Sequence, residues 1–375
     1  MSRRCKPFTL IIEERLISNH TTLTTIVQSA LGEATAAEIA LRPALEYQSN
    51  QLYDVWANER HYILKEFLKP DEQAVAPLRE FRALERLAAL DLAPQPVFYE
   101  PAQGPVVIYE YMEGVMWDRR RPTAAELAQL AEVWLAFNAL PTADLWMSRG
   151  YERSLHQAGA WFYRQLQTYA QWADAECKPA RPAAALCLEL LQTRQTVADE
   201  LTNNTPVLCF CRADTRFANV IQRPDQRLGL IDWEDSGLRD PARDLADLMT
   251  HPNQEDLLTP TEWQAFLQPY LAERSQLDPG LVQRFQLYLA IFPIFWLALG
   301  CTQGMQRTRA RQLAGWTING LPANVRLQRY LARLLAWPAV EFEQQLASLA
   351  DLKFFDNDSE LSPSGKDSPA QLLNE

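Results

Sequence analysis

The chain has 375 residues, which is long enough for two domains or two large lobes with a core each. Apolar residues make up 47% and charged residues 22%, the composition of an ordinary soluble globular protein. The formal net charge of −11 argues against a nucleic-acid backbone as the main partner and is compatible with a cationic ligand.

The cellular compartment is predicted from the N-terminal sequence, the number of cysteines and the longest apolar run. The N-terminus SRRCKPFTLIIEERL is basic, but Glu13 and Glu14 interrupt its apolar run, so no signal peptide is predicted. Six cysteines are too few for a disulfide scaffold in a chain of this size. The longest apolar run, Leu287 to Cys301, is shorter than the roughly 20 residues that a membrane span needs and contains Pro293. We therefore expect a cytoplasmic protein with no membrane partner, and the run is predicted as a kinked core helix.

In the N-terminal part, the sequence predicts one short helix, near Thr22 to Ala30, and then strands. Between Ala37 and Leu68 the stretches YQSNQLYDVW and HYILKEFL are predicted as two strands with a short connection. In the second strand Ile63, Lys65 and Phe67 share one face. An apolar strand face is an unusual place for a freely solvated charge, so the lysine is expected to have a partner.

A helix and two further strands follow. The helix APLREFRALERLAALD has apolar residues at a spacing of three, and these are predicted to form its buried face: Leu78, Phe81, Leu84, Leu87 and Leu90. Glu80 and Glu85 lie off that face. The stretches PQPVFYE and GPVVIYEYMEG are predicted as strands that end at Gly114.

Beyond Gly114 the pattern becomes mostly helical. Thr123 and Glu126 form a predicted capping box that begins a helix. Two long helical patterns follow, and the polar C-terminus is predicted to be disordered. The predicted organisation is an N-lobe over residues 1–112, a helical C-lobe over 113–350 and a tail over 351–375.

One strand-like island, VLCFCRAD to LGLIDWE, interrupts the helical part. It places Asp214 and Asn219 five residues apart, and Asp232 follows a second apolar run. Loops at strand ends often carry functional groups on a rigid support, and carboxylate and amide oxygens are ligands that Mg²⁺ accepts beside substrate phosphates. The alternative is structural: these residues cap local backbone, and Asp240 with Pro241 begins a helix.

Cys209 and Cys211 would lie on the same side of a strand upstream of His251, which raises the question of a zinc site. No CxxC pair or second cluster supplies the remaining ligands, so buried apolar cysteines are the favoured interpretation. Similarly, several tryptophans are interpreted mainly as core residues and only secondarily as a cage for a quaternary ammonium group: Trp117, Trp134, Trp146, Trp161, Trp172 and Trp233.

Taken together, these residues resemble the aminoglycoside phosphotransferase and choline kinase family. In that family a stretch HxDxxxxN is followed by a strand that ends in IDW or IDF, and then by DPxxDL. The corresponding residues here are Arg212, Asp214 and Asn219, then Ile231-Asp232-Trp233, then Asp240-Pro241 with Asp244-Leu245. The resemblance extends from about Ala37 to Val340 and is strongest from Cys211 to Leu248. It implies an α+β, bilobal protein-kinase-like fold with a small five-stranded antiparallel sheet and a larger, mostly helical part.

The resemblance implies a role for each matching residue. Asp214 resembles the catalytic aspartate that receives the proton of the substrate hydroxyl. Asn219 and Asp232 resemble the ligands of Mg²⁺. Lys65 resembles the strand lysine that holds the nucleotide phosphates, and Glu80 its partner on the helix.

The resemblance also implies the nucleotide contacts. The segment IYEYM resembles the hinge that binds the purine edge, which assigns this role to Glu110, Tyr111 and Met112. The phosphate donor is expected to be ATP or GTP. The stretch YQSNQLYDV, which corresponds to the phosphate-covering loop, contains no glycine, and Ser49-Asn50 in it resembles the serine–asparagine pair that choline-kinase-like members have at this turn. The alternative for that stretch is an ordinary polar hairpin.

Arg212 stands where the family usually has histidine. We included it among the catalytic residues, with the hypothesis that its guanidinium forms charge-assisted hydrogen bonds with Asp232 or Glu234. Glu234 and the adjacent Asp235 have two further interpretations, contact with an amine or a helix cap.

Two functions are compatible with these observations. The first is an ATP- or GTP-dependent kinase that phosphorylates a hydroxyl of a small molecule, with cationic acceptors such as an amino sugar, an aminoalcohol or a thiamine-like compound as candidates. The second is a catalytically weak or silent kinase-like protein that acts as a nucleotide-binding or scaffold module. We favour the first, because a scaffold does not need Lys65, Asp214, Asn219 and Asp232 together. The oligomeric state is left open.

Overall fold

The protein is described by a computed structural model in which the chain forms two compact units, residues 1–152 with 206–285, and residues 153–205 with 286–375. The predicted lobe boundary after residue 112 falls inside the first unit and stays a prediction, as does the disordered tail, of which only 353–355 are described. The described residues are 20–32, 37–43, 50–118, 120–150, 155–202, 205–318, 320–336 and 353–355.

The first unit contains a five-stranded antiparallel sheet in the order β1-β2-β3-β5-β4, as the resemblance implied. The β2–β3 hairpin turns through Asn58 and Glu59, whose φ angles of 51° and 60° are typical of a two-residue hairpin turn. The predicted pair of strands is therefore confirmed, with the turn inside the expected connection. The strands are β1 Ala37–Leu41, β2 Asn50–Ala57, β3 Arg60–Phe67, β4 Pro96–Phe98 and β5 Val106–Glu110.

Two helices accompany this sheet, α1 (His20–Leu31) and α2 (Ala76–Ala88). The predicted buried face of α2 is confirmed at Leu84 and Leu87, which are 1% and 0% exposed, and is wrong at the other three positions. Leu90 is 42% exposed and Leu78 and Phe81 are only partly buried, whereas the Glu80 side chain lies on the buried face. A spacing of three drifts around a helix of 3.6 residues per turn, so a stripe of five such positions cannot stay on one face.

The rest of the first unit is mixed. Three short strands pair as β6-β8-β9, and β7 pairs with β10. The Thr123–Glu126 capping box is confirmed, and Asp240 caps the helix that Pro241 begins, also as predicted. The elements are β6 Val115–Met116, α3 Ala124–Asn138, β7 Cys209–Cys211, β8 Val220–Gln222, β9 Leu228–Leu230, β10 Gly237–Arg239, α6 Pro241–Thr250 and α7 Pro260–Leu277.

The second unit is mostly helical and has its own apolar core. Its Tyr169 hydroxyl donates to the carbonyl oxygen of Phe354 at 2.8 Å, which ties the segment 353–355 to that core. Its elements are α4 Leu155–Ala175, α5 Arg181–Thr202, α8 Leu281–Ala310, the hairpin β11 Thr317–Ile318 and β12 Leu321–Pro322, and α9 Ala323–Ala336.

Helix α8 contains the apolar run around Pro293 and is longer than that run. Within the described part of the chain it is the one helix long and apolar enough to cross a membrane by length and composition. However, 61% of its most apolar stretch is buried inside the structure, and the core helix of a soluble protein passes the same test.

The aromatic and sulfur side chains are mostly core residues. Trp117, Trp134 and Trp233 are at most 1% exposed. The Cys209 and Cys211 sulfur atoms lie 3.6 Å apart on one face of β7, and both side chains are buried. Both observations agree with the interpretation as core residues.

Candidate active site

A buried lysine with three carboxylates forms the first part of the site. Strand β3 places Lys65 beside helix α2, and the Lys65 Nζ lies 2.6 Å from a Glu80 oxygen, 2.5 Å from Asp232 Oδ1 and 3.0 Å from a Glu234 oxygen. We call Lys65, Glu80, Asp232 and Glu234 the Lys65 cluster. The predicted pair of Lys65 and Glu80 is in place, and the lysine also bonds to the predicted metal ligand.

Charge balance explains why Lys65 stays ionised. Burial alone lowers the pKa of its ammonium, but the neighbouring carboxylates outweigh burial and raise that pKa well above 10.5. Burial also opposes the ionisation of Asp232, yet Lys65 and Arg216 hold the pKa of its carboxyl well below its usual range. Lys65 and Asp232 are therefore an ion pair at neutral pH.

Glu234 is the member of the Lys65 cluster that sequence reasoning only partly identified. Its carboxylate accepts from the side-chain amide of Asn50, at the start of β2, and lies against Lys65. Burial raises the pKa of Glu234 to about 7. In this structure Glu234 thus meets the chain's own lysine and the adjacent Asp235 pairs with Arg149 at 3.3 Å, so contact of either acid with a substrate amine stays a prediction.

The second part of the site is the loop from Arg212 to Asn219, called here loop 212–219. It leaves β7 through Ala213, whose φ of 70° is in the left-handed region that costs energy for a residue with a Cβ. Asp244 stabilises this turn, because its carboxylate accepts from the Ala213 N–H at 2.9 Å and from the Arg212 N–H at 3.3 Å. The aspartate of the DPxxDL stretch therefore holds the backbone next to Asp214.

Side chains that follow helix α6 hold the remainder of loop 212–219. Gln254 donates to the Thr215 carbonyl oxygen at 2.7 Å and accepts from the Phe217 N–H at 3.2 Å. Asn253 accepts from the Ala218 N–H at 3.0 Å. These partners satisfy backbone groups that regular secondary structure would otherwise pair, and so they fix the loop geometry.

Arg212 was predicted to bond with a carboxylate, and this was wrong. Its guanidinium donates to main-chain oxygens instead, to Ile231 at 2.7 Å and to Asp232 at 3.3 Å, and it stacks 4.4 Å from the centre of the Trp233 ring. Burial lowers its pKa to about 10, so the group remains charged. A guanidinium can reach two carbonyl oxygens with its fork of donors, which gives Arg212 the contacts of a positioning residue between two segments of the site.

Asp214 is partly open to solvent, and two basic side chains flank it. Arg216 Nη2 lies 2.8 Å from Asp214 Oδ2, and His251 Nε2 lies 3.6 Å from Asp214 Oδ1. The His251 Nδ1 accepts from the Asn253 N–H at 3.1 Å, so the ring proton is on Nε2 and faces Asp214. Burial lowers the pKa of His251 to about 3, which keeps the ring neutral.

Both carboxylate oxygens of Asp232 accept hydrogen bonds. Lys65 bonds to Oδ1, while Oδ2 receives Arg216 Nη2 at 3.3 Å and the Asn219 side-chain amide at 3.4 Å. Asp232 has a φ of 66°, so the chain adopts a second left-handed conformation to present this carboxylate. The predicted trio of Asp214, Asn219 and Asp232 is thus brought together.

Asn219 and Asp232 are the residues predicted to hold a divalent cation. The oxygens of Glu80, Asp232 and Glu234 lie within 4.8 Å of one another, but the Lys65 ammonium already bonds to all three. On the other side, Asp232 Oδ2 accepts from Arg216 Nη2 and from the Asn219 side-chain NH2, so these donors would have to turn away before the Asp232 and Asn219 oxygens, hard ligands that suit Mg²⁺, could bind an ion. The donor set therefore supports Asn219 and Asp232 as the residues that would hold the ion.

The hinge residues are Glu110, the last residue of strand β5, and the two residues after it. The Glu110 N–H donates to the Gln95 carbonyl oxygen and the Tyr111 N–H to the His61 carbonyl oxygen, both at 2.9 Å. No partner for the Met112 N–H is found within the described part of the chain. Beside the hinge lies a cleft of about 290 Å³, whose wall includes Met112 and Arg223. Met112 is therefore the hinge residue whose backbone N–H is available to a ligand.

The predicted residues divide into three groups. Those of the Lys65 cluster, loop 212–219 and Asn50 converge, the hinge residues lie on the adjacent strand, and Ser49 lies outside the described residues. Sequence reasoning missed Arg216 and considered His251 only for zinc. The position of Arg216, two residues after Asp214, was a usable signal for the first, whereas nothing local indicates Asn253 or Gln254.

Comparison with known proteins identifies the family. The model of the phosphotransferase enzyme family matches residues 40–289, about two thirds of the chain. None of the curated protein sequences searched matches.

Solved structures with the same fold include choline kinase LicA from Streptococcus pneumoniae, with a TM-score of 0.58 at 20% identity over 85% of this chain and 99% of that one. A choline/ethanolamine kinase family protein from Mesorhizobium loti has a TM-score of 0.57 at 17% identity, covering 89% and 99%. Aminoglycoside phosphotransferase APH(2'')-Ib, solved with ADP bound, has a TM-score of 0.54 at 13% identity, covering 84% and 99%. The family match and the shared fold confirm the predicted protein-kinase-like architecture. The chain belongs to the phosphotransferase enzyme family and is a small-molecule kinase of that family.

Proposed function

We propose that this protein transfers the γ-phosphoryl group of ATP or GTP to a hydroxyl group of a small, amine-bearing molecule, with Mg²⁺ as cofactor. The observation that carries the proposal is the two-sided engagement of Asp232, by Lys65 on one oxygen and by Asn219 and Arg216 on the other, with Asp214 next to Arg216. A lysine, a metal-ligand pair and a base are the groups that phosphoryl transfer requires.

The roles follow from the contacts. Lys65, held by Glu80, binds the α- and β-phosphates, and Asn219 and Asp232 hold the ion. Asp214 accepts the proton of the acceptor hydroxyl as its oxygen bonds to phosphorus. The bond from phosphorus to the bridging oxygen breaks, and the nucleoside diphosphate leaves with the electron pair. Mg²⁺ supplies compensation for the charge on the phosphate oxygens.

Three further residues support binding or geometry. Met112 donates its backbone N–H to the purine, because the N–H groups of the two preceding hinge residues are engaged within the protein. Asn50, through Glu234, orders the start of the strand that covers the phosphates. Arg212 positions Asp232 relative to loop 212–219 through the carbonyl oxygens of Ile231 and Asp232. The ADP-bound aminoglycoside phosphotransferase of the same fold supports nucleotide use.

The proposed acceptor is a cationic compound that carries a hydroxyl group. Two of the similar structures are named as choline or choline/ethanolamine kinases and the third as an aminoglycoside phosphotransferase. All three names imply a hydroxyl compound that carries an amine. The net charge of −11 favours such cationic acceptors over anionic ones. Choline, ethanolamine and an aminoglycoside are therefore the first acceptors to test.

Thermal shift with ATP and GTP, each with and without Mg²⁺, tests nucleotide binding. We expect a Mg²⁺-dependent rise in the melting temperature that Asp232→Asn abolishes and that Asp174→Asn leaves unchanged, because Asp174 is an exposed surface residue. An acceptor-dependent release of ADP or GDP then tests transfer, and Asp214→Asn should slow it about 10²- to 10⁴-fold while nucleotide binding persists.

The rival function is a silent kinase-like module, which Arg212 in place of histidine and the absence of glycine between β1 and β2 favour. It predicts nucleotide binding without turnover. If Mg²⁺ and nucleotide raise the melting temperature but the protein neither phosphorylates an acceptor nor hydrolyses the nucleotide, the silent module is the correct function and the kinase proposal is wrong.

A further inference from the structure

Arg216 is a charged residue of the site to which the proposed function assigns no role. Its Nη2 lies 2.8 Å from Asp214 Oδ2 and 3.3 Å from Asp232 Oδ2, so one nitrogen joins the proposed base to the proposed metal ligand. From this geometry we infer that Arg216 is a further catalytic residue, whose guanidinium binds the oxygens of the phosphoryl group during transfer. The inference rests on the proposed function.

The inference starts from the positions of the Asp214 and Asp232 carboxylates. Asp214 acts at the acceptor oxygen and Asp232 at the phosphate oxygens, so the phosphorus atom passes between the points where they act. The Nη2 of Arg216 already occupies the space between these carboxylates. A cation at that position faces the charge that is spread over the equatorial oxygens in the transition state.

The backbone fixes where the guanidinium begins. Arg216 immediately precedes the short 3₁₀ turn Phe217–Asn219, and its carbonyl oxygen accepts from the Asn219 N–H at 3.0 Å. Its neighbours Thr215 and Phe217 are buried, and the Thr215 hydroxyl donates to Asp247 at 3.0 Å. The same turn that presents the metal ligand Asn219 therefore presents Arg216.

The side chain has donors and access to spare. It is 30% exposed, so a ligand can reach the exposed part of the guanidinium, whereas its Nε is buried and has no hydrogen-bond partner among the described residues. The Asp214 carboxylate raises the pKa of the guanidinium above its ordinary value, which keeps the group charged throughout. A planar guanidinium with five donors can release one carboxylate and bind phosphoryl oxygens as a fork.

A purely structural role would be the neutralisation of Asp214 and Asp232. The two roles differ in what they predict for a mimic of the transferred group. A residue that only neutralises carboxylates affects nucleotide binding with or without the mimic, whereas a catalytic arginine recognises the mimic itself.

The test uses the full chain with Mg²⁺ and ADP, followed by aluminium fluoride as the phosphoryl mimic. In the unchanged protein, aluminium fluoride should add to the thermal shift produced by Mg²⁺ and ADP. Arg216→Gln should keep the Mg²⁺–ADP shift and lose the added part, and Arg216→Lys should keep some of it. Arg309→Gln, which removes an exposed arginine paired with Glu176, should match the unchanged protein.

Kinetics provide a second readout. Hydrolysis of ATP or GTP, with water as acceptor, should show a fall in kcat of about a hundredfold in Arg216→Gln, with little change in the KM for nucleotide. An added aluminium fluoride shift that persists in Arg216→Gln, or that is absent from the unchanged protein although Mg²⁺–ADP binds, overturns the inference. Failure of Mg²⁺–nucleotide to bind the unchanged protein at all refutes the proposed function instead.

Discussion

The Lys65 cluster and loop 212–219 form two sides of one site but are stabilised differently. In the Lys65 cluster, one ammonium contacts three carboxylates at 2.5 to 3.0 Å, so electrostatic attraction holds the cluster together. In loop 212–219, Asp244, Asn253 and Gln254 hold backbone N–H and carbonyl groups through hydrogen bonds, two of them with neutral amide side chains. The stability that the Lys65 cluster contributes should therefore depend on pH, whereas the stability that the amide side chains of Asn253 and Gln254 contribute should not.

Removal of the ammonium is the strongest way to test this difference. Lys65→Met leaves three buried carboxylates without their cation and should lower the free energy of unfolding by about 3 to 5 kcal/mol at pH 8. The loss should shrink at pH 5, because burial raises the pKa of unpaired carboxyl groups and lets them take up protons. Urea denaturation at both pH values measures it.

The matched control for that variant is Lys69→Met, since Lys69 is an exposed lysine that pairs only with Glu72 among the described acids. It should change stability by less than about 1 kcal/mol. A loss in Lys65→Met that is equal at pH 5 and pH 8 would mean that charge is not what holds the cluster.

Truncation of Gln254 tests the loop side. Gln254→Ala removes hydrogen bonds to Thr215, Phe217 and Leu248 in a buried environment and should cost about 2 kcal/mol of unfolding free energy. An amide does not titrate, so the loss should be the same at pH 5 and pH 8. Gln276→Ala, at an exposed glutamine on α7, is the control and should be near neutral. A pH-dependent loss in Gln254→Ala would remove the distinction between the two sides.

Asp247 is the loop support that should titrate. Burial raises its pKa from 3.8 to about 7 in the folded protein, so the folded state holds a proton that the unfolded state has lost. Its contribution to stability is complete below pH 3.8 and declines as pH rises to about 7, at about 1 kcal/mol per pH unit. Asp247→Asn should flatten the stability profile between pH 4.5 and 7, as followed by urea denaturation. An unchanged slope relative to exposed Asp71→Asn would contradict it.

The helix cap at Thr123 provides a reference for a contact encoded entirely by local sequence. Thr123→Ala removes the hydroxyl that accepts from the Glu126 N–H and should lower the unfolding free energy by about 1 kcal/mol. Thr142→Ala, at an exposed threonine outside the described helices, should have no measurable effect. Equal losses in the two variants would show that the capping box does not stabilise the helix.

Several predictions succeeded because their signals are local. Alternation of apolar residues defined β3 and put Lys65 on an apolar face, and the Thr123–Glu126 pair marked a helix start. The spacing of Asp214 and Asn219 was a weak signal by itself, and the site was predicted from its combination with Asp232, Lys65 and Glu80 in the order of the family. Four strands of the five-stranded sheet, β2 to β5, were predicted from their patterns, and the number of five came from the resemblance.

Other predictions failed where the outcome depends on distant parts of the chain. The buried face of α2 was partly misplaced, because the sheet that packs on a helix decides which side is covered. Arg212 bonds to carbonyl oxygens around Ile231, not to a carboxylate, because the backbone turn at Asp232 presents those oxygens to it.

By itself the sequence predicted which residues belong to the candidate site, since the side-chain types and spacings around Lys65, Asp214, Asn219 and Asp232 are local properties. Only the tertiary structure decided what surrounds them. The bond from Lys65 to Asp232 joins residues 167 positions apart, and Gln254 holds a backbone carbonyl 39 positions upstream. No local pattern encodes such pairs, because they form only when folding brings separate elements together and buries polar groups that must then find partners.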